Sequence, residues 1–376
     1  MKIRFRYMVL MMTTALMLGG CGQSDGDEPG GGPTPQPGEK AIDFSGALSE
    51  EGSVTRAGEP TLLKDLYQSF YVWAYKNPQT ENPSYEAVMK YYTVNWHDNS
   101  AGTTTTNSSG WEYVNQQGYD GMEQSIKYWD FSASAYRFFA TTASNRGTVI
   151  TEDDETYFRL SFDTDATKEE TCPYYSQLWF SDNQSGRPSY GEPVRLVFLQ
   201  PISKVRFKFI FEDEKDAPTT DLTDKSFSPS DGGSIKTNGI VHVNYPLLNG
   251  IKETLVVADD AEGMGAFTQD YYESVRTDEV TGKVVSPYYG ADATAVGKVY
   301  KVLPTPTSQS DYKLQVSVNS EQKTVVVPAK YMIWQPGYLY TYVFKIHVDG
   351  GVSIASVQSA FTPWEVEEKP HTVFNW

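Results

Sequence analysis

The sequence is poor in the residues on which most enzymes and metal proteins depend. It has two cysteines, Cys21 and Cys172, and four histidines, His97, His242, His347 and His371, scattered along 376 residues. No histidine belongs to an H-E-x-x-H pair or a Cys/His cluster, so no transition-metal site is indicated. There is no G-x-S-x-G elbow, no Walker A loop and no G-x-G-x-x-G turn. Helical periodicity is scarce, with short helices expected only at 84–92 and 268–275. Positive charge is also short. Lys and Arg total 31 against 48 Asp and Glu, a net charge of −17, and losing Lys2, Arg4 and Arg6 with a leader takes −17 to −20. Such a surface repels phosphate backbones and anionic lipid, which argues against a nucleic-acid partner. It suits solubility outside the cell.

What remains gives no catalytic residue and no cofactor, and the chain does not read as an enzyme. With 48 acidic residues, some pair will always lie at the separation that glycoside hydrolysis needs, so paired carboxylates carry no information. Asp153-Asp154-Glu155 and Asp163-Thr164-Asp165 lack the spacing of a calcium loop and read as turn carboxylates.

The amino terminus is a processing signal. Lys2, Arg4 and Arg6 precede an apolar run at 8–18, too short to span a bilayer. The run ends in Leu18-Gly19-Gly20-Cys21, which resembles the lipobox of bacterial lipoproteins. Residues 1–20 are then a leader, Cys21 is the lipidated first residue, and 21–40 is a flexible tether without apolar side chains able to seed a core. Asp25, Asp27 and Glu28, close behind the lipid, resemble a surface-export signal. With Cys21 lipidated, Cys172 has no partner, and no disulfide supports the fold; Cys172 reads as a small buried hydrophobe.

Strands dominate the rest. The run at 338–348 alternates, with Tyr338, Tyr340, Tyr342, Phe344, Ile346 and Val348 on one face. Val205 to Phe211 alternates likewise, as do Phe158, Leu160 and Phe162. Tyrosine is abundant, at 26 residues, and favours a pleated, half-buried surface. Turn signals such as Asp231-Gly232-Gly233, Asn249-Gly250 and Asp349-Gly350-Gly351 punctuate the pattern. The predicted fold class is mainly β, with two antiparallel sandwich-like domains at 41–191 and 192–376.

Of the eight tryptophans, most sit in strand patterns where core packing is their job. Trp96 and Trp111 flank a polar loop at 98–109 and are the candidates for facing a ligand.

Several segments in order resemble the fimbrillin family of Bacteroidetes, pilus subunits with transthyretin-like domains. They are the lipobox and tether, AIDFSGAL at 41–48, Thr55-Arg56-Ala57, FYVWAY at 70–75, Tyr128-Trp129 leading to YRFFA at 136–140, PVRLVFLQPISKVRF at 193–207, VPAKYMIW at 327–334, Tyr340-Thr341-Tyr342 and Trp364. The resemblance implies a lipid-anchored precursor at the outer membrane and cell surface. It further implies an arginine-specific cut after Arg56, leaving Ala57 as the new amino terminus. The first strand, plugging its own domain through Ile42, Phe44 and Leu48, would leave, and a donor strand from another subunit would fill the groove. Other fimbrial subunits, and a surface receptor or glycan, are the implied partners. Pro363 and Pro370 interrupt the carboxyl-terminal segment, which favours a tip or anchor role over a stalk role. The competing expectation is a surface glycan-binding lipoprotein of a polysaccharide-uptake system, motivated by the anchor and by the wealth of Trp and Tyr.

Overall fold

The computed structural model describes residues 40–47, 63, 67–96, 110–118, 121–212, 222–268, 276–277, 284–285, 299–307, 310–361 and 371–375. The protein is mainly β. The first half supplies β1 (Phe44–Ala47), β2 (Ser69–Asn77), β3 (Glu86–Trp96), β4 (Trp111–Glu112), β5 (Ala135–Thr141), β6 (Thr148–Glu152), β7 (Glu155–Asp165), β8 (Tyr175–Ser176), β9 (Trp179–Ser181) and β10 (Val194–Leu199). Seven of these, in the order β2-β3-β4-β1-β10-β8-β5, close into a ring because β5 also pairs with β2; β9 continues along β5. Closure covers the inner face of β5 and a second core covers the outer one, so all seven of its residues are buried. Tyr136, Phe138 and Ala140 fill the ring, whereas Phe139 points outward into a second core.

The helix expected at 84–92 is instead the strand β3. The register of β2 against β3 slips between Val72 and Ala74, and Tyr91 adopts a φ of 57°. This bulge puts Met89 and Val94 into the ring and sends Tyr91 to the outer core. An odd spacing between two residues of one face breaks the period of two, and the segment then mimics a helix in sequence.

The second half supplies β11 (Ser203–Phe211), β12 (Leu222–Pro229), β13 (Ile235–Pro246), β14 (Thr254–Val257), β15 (Glu262–Met264), β16 (Arg276–Thr277), β17 (Val284–Val285), β18 (Tyr300–Val302), β19 (Tyr312–Val318), β20 (Glu321–Val327), β21 (Tyr338–Ile346), β22 (Val352–Phe361) and β23 (His371–Asn375). β13 pairs with β7 from Asn238↔Asp165 to Pro246↔Tyr157, flanked by β14 and β6. Its apolar face packs against the outside of β2 and β5, where Phe139 stacks on Tyr245 with centroids 4.1 Å apart. This is face-to-face sheet packing, with side chains of two inner faces interleaved. Asp153 and Asp154 both have positive φ and form the two-residue turn of the β6–β7 hairpin, a geometry that Asp tolerates.

A further core joins the sheet β18-β11-β21-β22-β23 to the sheet β12-β19-β20. Trp334 Nε1 donates to the Tyr342 hydroxyl at 2.9 Å, and that hydroxyl donates to the Tyr331 carbonyl at 2.6 Å, so these buried rings keep their polar atoms paired. Most pairings are antiparallel, as expected, but β1 with β10 and β11 with β21 run parallel. β10 lies just past residue 191 and pairs with β1 and β8, and β13 pairs back to β7.

Candidate functional site: the first strand and its slot

The segment entering β1 is short and rich in polar or small residues, yet residues 41–44 are all buried. Ile42 and Phe44 are fully buried, and being two residues apart in an extended chain they face the same way, into the core. Phe44 meets three rings edge-on, with centroids 6.1 Å from Phe70, 5.9 Å from Tyr113 and 6.0 Å from Phe138. Burial of two such side chains stabilises the strand by roughly 1.5–3 kcal/mol each.

The backbone is held on both flanks. On one side β1 runs parallel to β10, from Phe44↔Val194 to Ala47↔Val197, and the Val194 amide donates to the Asp43 carbonyl at 2.8 Å. On the other side Phe44 opposes Trp111 of β4, while the Ile42 amide donates to the Lys127 carbonyl at 2.8 Å and the Trp129 amide to the Lys40 carbonyl at 3.0 Å. Tyr113 closes the slot. Its hydroxyl donates to the Ile42 carbonyl at 2.9 Å and accepts from the Lys127 amide at 3.0 Å, and burial pushes its pKa well up. Withdrawing β1 would therefore expose two unpaired strand edges and a groove walled by Phe70, Trp111, Tyr113 and Phe138.

Asp43 is the anomaly in this strand. The residue is 5 % exposed, and Oδ1 has no hydrogen-bond partner among the described residues. Burial raises its pKa from 3.8 to about 6, against the opposing pull of Lys40. Sequence reasoning missed it because an acid between Ile42 and Phe44 reads as the outward residue of an alternating strand. Only the tertiary structure covers the outer face of this segment as well as the inner one.

The residues singled out from sequence divide in two. Ile42, Phe44, Trp96 and Trp111 come together. Trp96 is half-buried and meets Trp111 edge-on at 5.3 Å; Trp111 is 2 % exposed and lies 4.9 Å from Phe70. The two tryptophans thus belong to the wall of the slot. Cys21, Leu48, Arg56, Ala57 and the 98–109 loop lie outside the described residues. Cys172 is buried, with its thiol 3.5 Å from the Asp165 carbonyl.

No family model matches the sequence, and no curated protein sequence does. Several solved structures are similar to it at low identity. A fimbrial protein from Bacteroides vulgatus is 11 % identical, with 86 % of this chain and 99 % of that one covered and a TM-score of 0.42. A Bacteroides ovatus protein provisionally named for cell adhesion is 13 % identical, covering 88 % and 99 %, with a TM-score of 0.40. A Bacteroides thetaiotaomicron protein provisionally named for polysaccharide binding is 10 % identical, covering 89 % and 98 %, with a TM-score of 0.31.

Proposed function

We propose that the chain is a surface subunit of a fimbrium, anchored in the outer membrane through Cys21 and contributing to cell adhesion. It joins other subunits by strand exchange. A protease cuts after Arg56, β1 leaves with the peptide ahead of the cut, and a donor strand from a neighbouring subunit takes its place. The observation that carries this reading is the placement of Phe44. A fully buried ring on a four-residue strand, with a pairing strand on each flank, is what a replaceable plug requires. The vacated edges would be templates for another chain, and the groove would select donors with apolar side chains at alternate positions. Until the cut, the chain's own strand fills the groove and prevents premature polymerisation.

Limited trypsin digestion of the purified full chain tests the reading. The expected result is a cut after Arg56 followed by a ladder of oligomers, both lost in Arg56→Gln. A cut at that position that releases the amino-terminal peptide yet leaves the protein monomeric at high concentration would overturn strand exchange. The anchor is tested separately, since Cys21→Ala should release the protein from membranes.

A further inference from the structure

At the end of the ring where β2 and β9 finish and β5 begins, three loops distant in sequence border an open cleft of about 710 Å³. That size lies within the usual range for small-ligand sites. Its centrepiece is Phe131, 57 % exposed. The ring is held in place. The preceding Asp130 pairs with Lys76 at 2.8 Å and accepts from the Ser132 amide at 2.9 Å. Tyr190 lies 6.5 Å from the ring, and Gly191, with φ of +86°, comes so close that a Cβ there would sit 3.4 Å from the ring's Cζ. Around this fixed apolar surface stand Gln79 and Glu81 from the loop after β2, and Asp182, Asn183 and Gln184 from the loop after β9. The side chains of Gln79, Glu81, Asn183 and Gln184 have no hydrogen-bond partner among the described residues, and Asp182 Oδ1 takes only the Gln184 amide at 3.2 Å.

We propose that this cleft binds a neutral oligosaccharide. One sugar ring lays its C–H face on Phe131, and its hydroxyls bond to the amides of Gln79, Asn183 and Gln184 and to the carboxylates of Glu81 and Asp182. The chemistry is matched group by group. A side-chain amide both donates and accepts, as a sugar hydroxyl does, and a carboxylate accepts from hydroxyl donors. An apolar aromatic face complements the apolar face of a pyranose. The same two carboxylates, on a chain of net charge −17, repel uronic and sialic acids. The positive charge of Lys76 is already taken by Asp130 and Glu86. The inference does not depend on strand exchange, because the uncut chain already carries the cleft.

Surface plasmon resonance on the immobilised full chain tests it, with maltohexaose, mannohexaose, cellohexaose and lacto-N-tetraose as neutral probes and sialyllactose and polygalacturonate as anionic ones. At least one neutral probe is expected to bind with Kd below about 1 mM. Phe131→Ala should weaken that binding about tenfold or more, Phe131→Trp should retain it, and neither should move the thermal unfolding midpoint. Asn183→Ala should weaken it as well. The proposal is overturned if no neutral probe binds at about tenfold higher concentration, if an anionic probe binds better, or if Phe131→Ala binds as tightly as the native chain.

Discussion

Phe44 stands opposite Trp111 where β1 meets β4, while its own backbone runs parallel to β10 on the other flank. A residue so placed couples three strands that are far apart in sequence, and removing its ring should loosen all of them. Phe44→Ala is expected to cost about 3–5 kcal/mol of unfolding free energy, read by urea denaturation of the uncut chain. A loss below about 1 kcal/mol would mean that β1 adds little to the ring, and the plug reading would fall with it.

Asp43 should make the seat of β1 depend on pH. Its folded pKa, about 6, lies above its ordinary value of 3.8. The stability it contributes is therefore complete below that ordinary value and is lost as pH rises through about 6, where the buried carboxylate must ionise. Lys40 is the cation that opposes the shift, and the buried Tyr113 is the neighbouring titratable group. Asp43→Asn, which cannot ionise, should raise the thermal midpoint at neutral pH and reduce the loss of stability between about pH 4 and 6. An unchanged pH profile in the variant would remove Asp43 from this role.

If the slot is a binding groove, a free strand should refill it. A synthetic peptide spanning residues 41–48 should bind the trypsin-cut protein and block oligomer growth, and the same peptide carrying Phe44→Ala should do neither. Gel filtration of the cut protein with each peptide decides the matter. Equal blocking by both peptides would show that the ring is not what the groove reads.

Arg137 is buried, and no described carboxylate pairs with it. Its guanidinium donates to Asn77 Oδ1 and to the carbonyls of Leu248 at 3.0 Å and Gly250 at 3.4 Å, and it lies over the Phe180 ring at 4.8 Å. Burial lowers its pKa to about 10. Arg137→Ala is expected to cost about 2–4 kcal/mol, and Arg137→Lys should not restore it, because one ammonium cannot span the same acceptors and stack as well. Thermal unfolding of both variants checks this, and full rescue by Lys would contradict it.

Glu169 sits between two lysines, 2.6 Å from Lys204 and 2.8 Å from Lys301. Burial works against its charge, but hydrogen bonds and Coulomb attraction from both lysines win, and its pKa is lowered. The stability it adds is present above the ordinary carboxylate range and is lost as pH falls through its depressed value. Glu169→Gln should therefore destabilise at neutral pH, by about 1–3 kcal/mol, and much less in acid. An equal loss at both pH values would show that packing, not charge, is what the variant removes.

Alternation made β7, β11 and β21 legible in the sequence: β7 buries one side of its pleat, and in β11 and β21, buried on both faces, large apolar residues still alternate with polar or smaller ones, so a period of two survives in the residue order. The β3 segment was misread as a helix because the bulge at Tyr91 breaks that period. The partners of β1 were not legible. Residue order says that 41–48 favours an extended chain, but strands 67 and 150 residues away pair with it through backbone groups that every residue shares. Phe131 left no signal either, since a lone aromatic between polar residues looks the same in a core, a turn or a cleft.

By itself the sequence determined that the chain is β-rich, acidic and without metal or nucleophile motifs, because composition and short-range periodicity are properties of the chain alone. Only the tertiary structure decided that β1 is an inner strand, that Asp43 is denied water, and that three loops converge on Phe131. Those outcomes depend on ring closure, which brings distant segments together, and no local pattern of residues encodes which segments will meet.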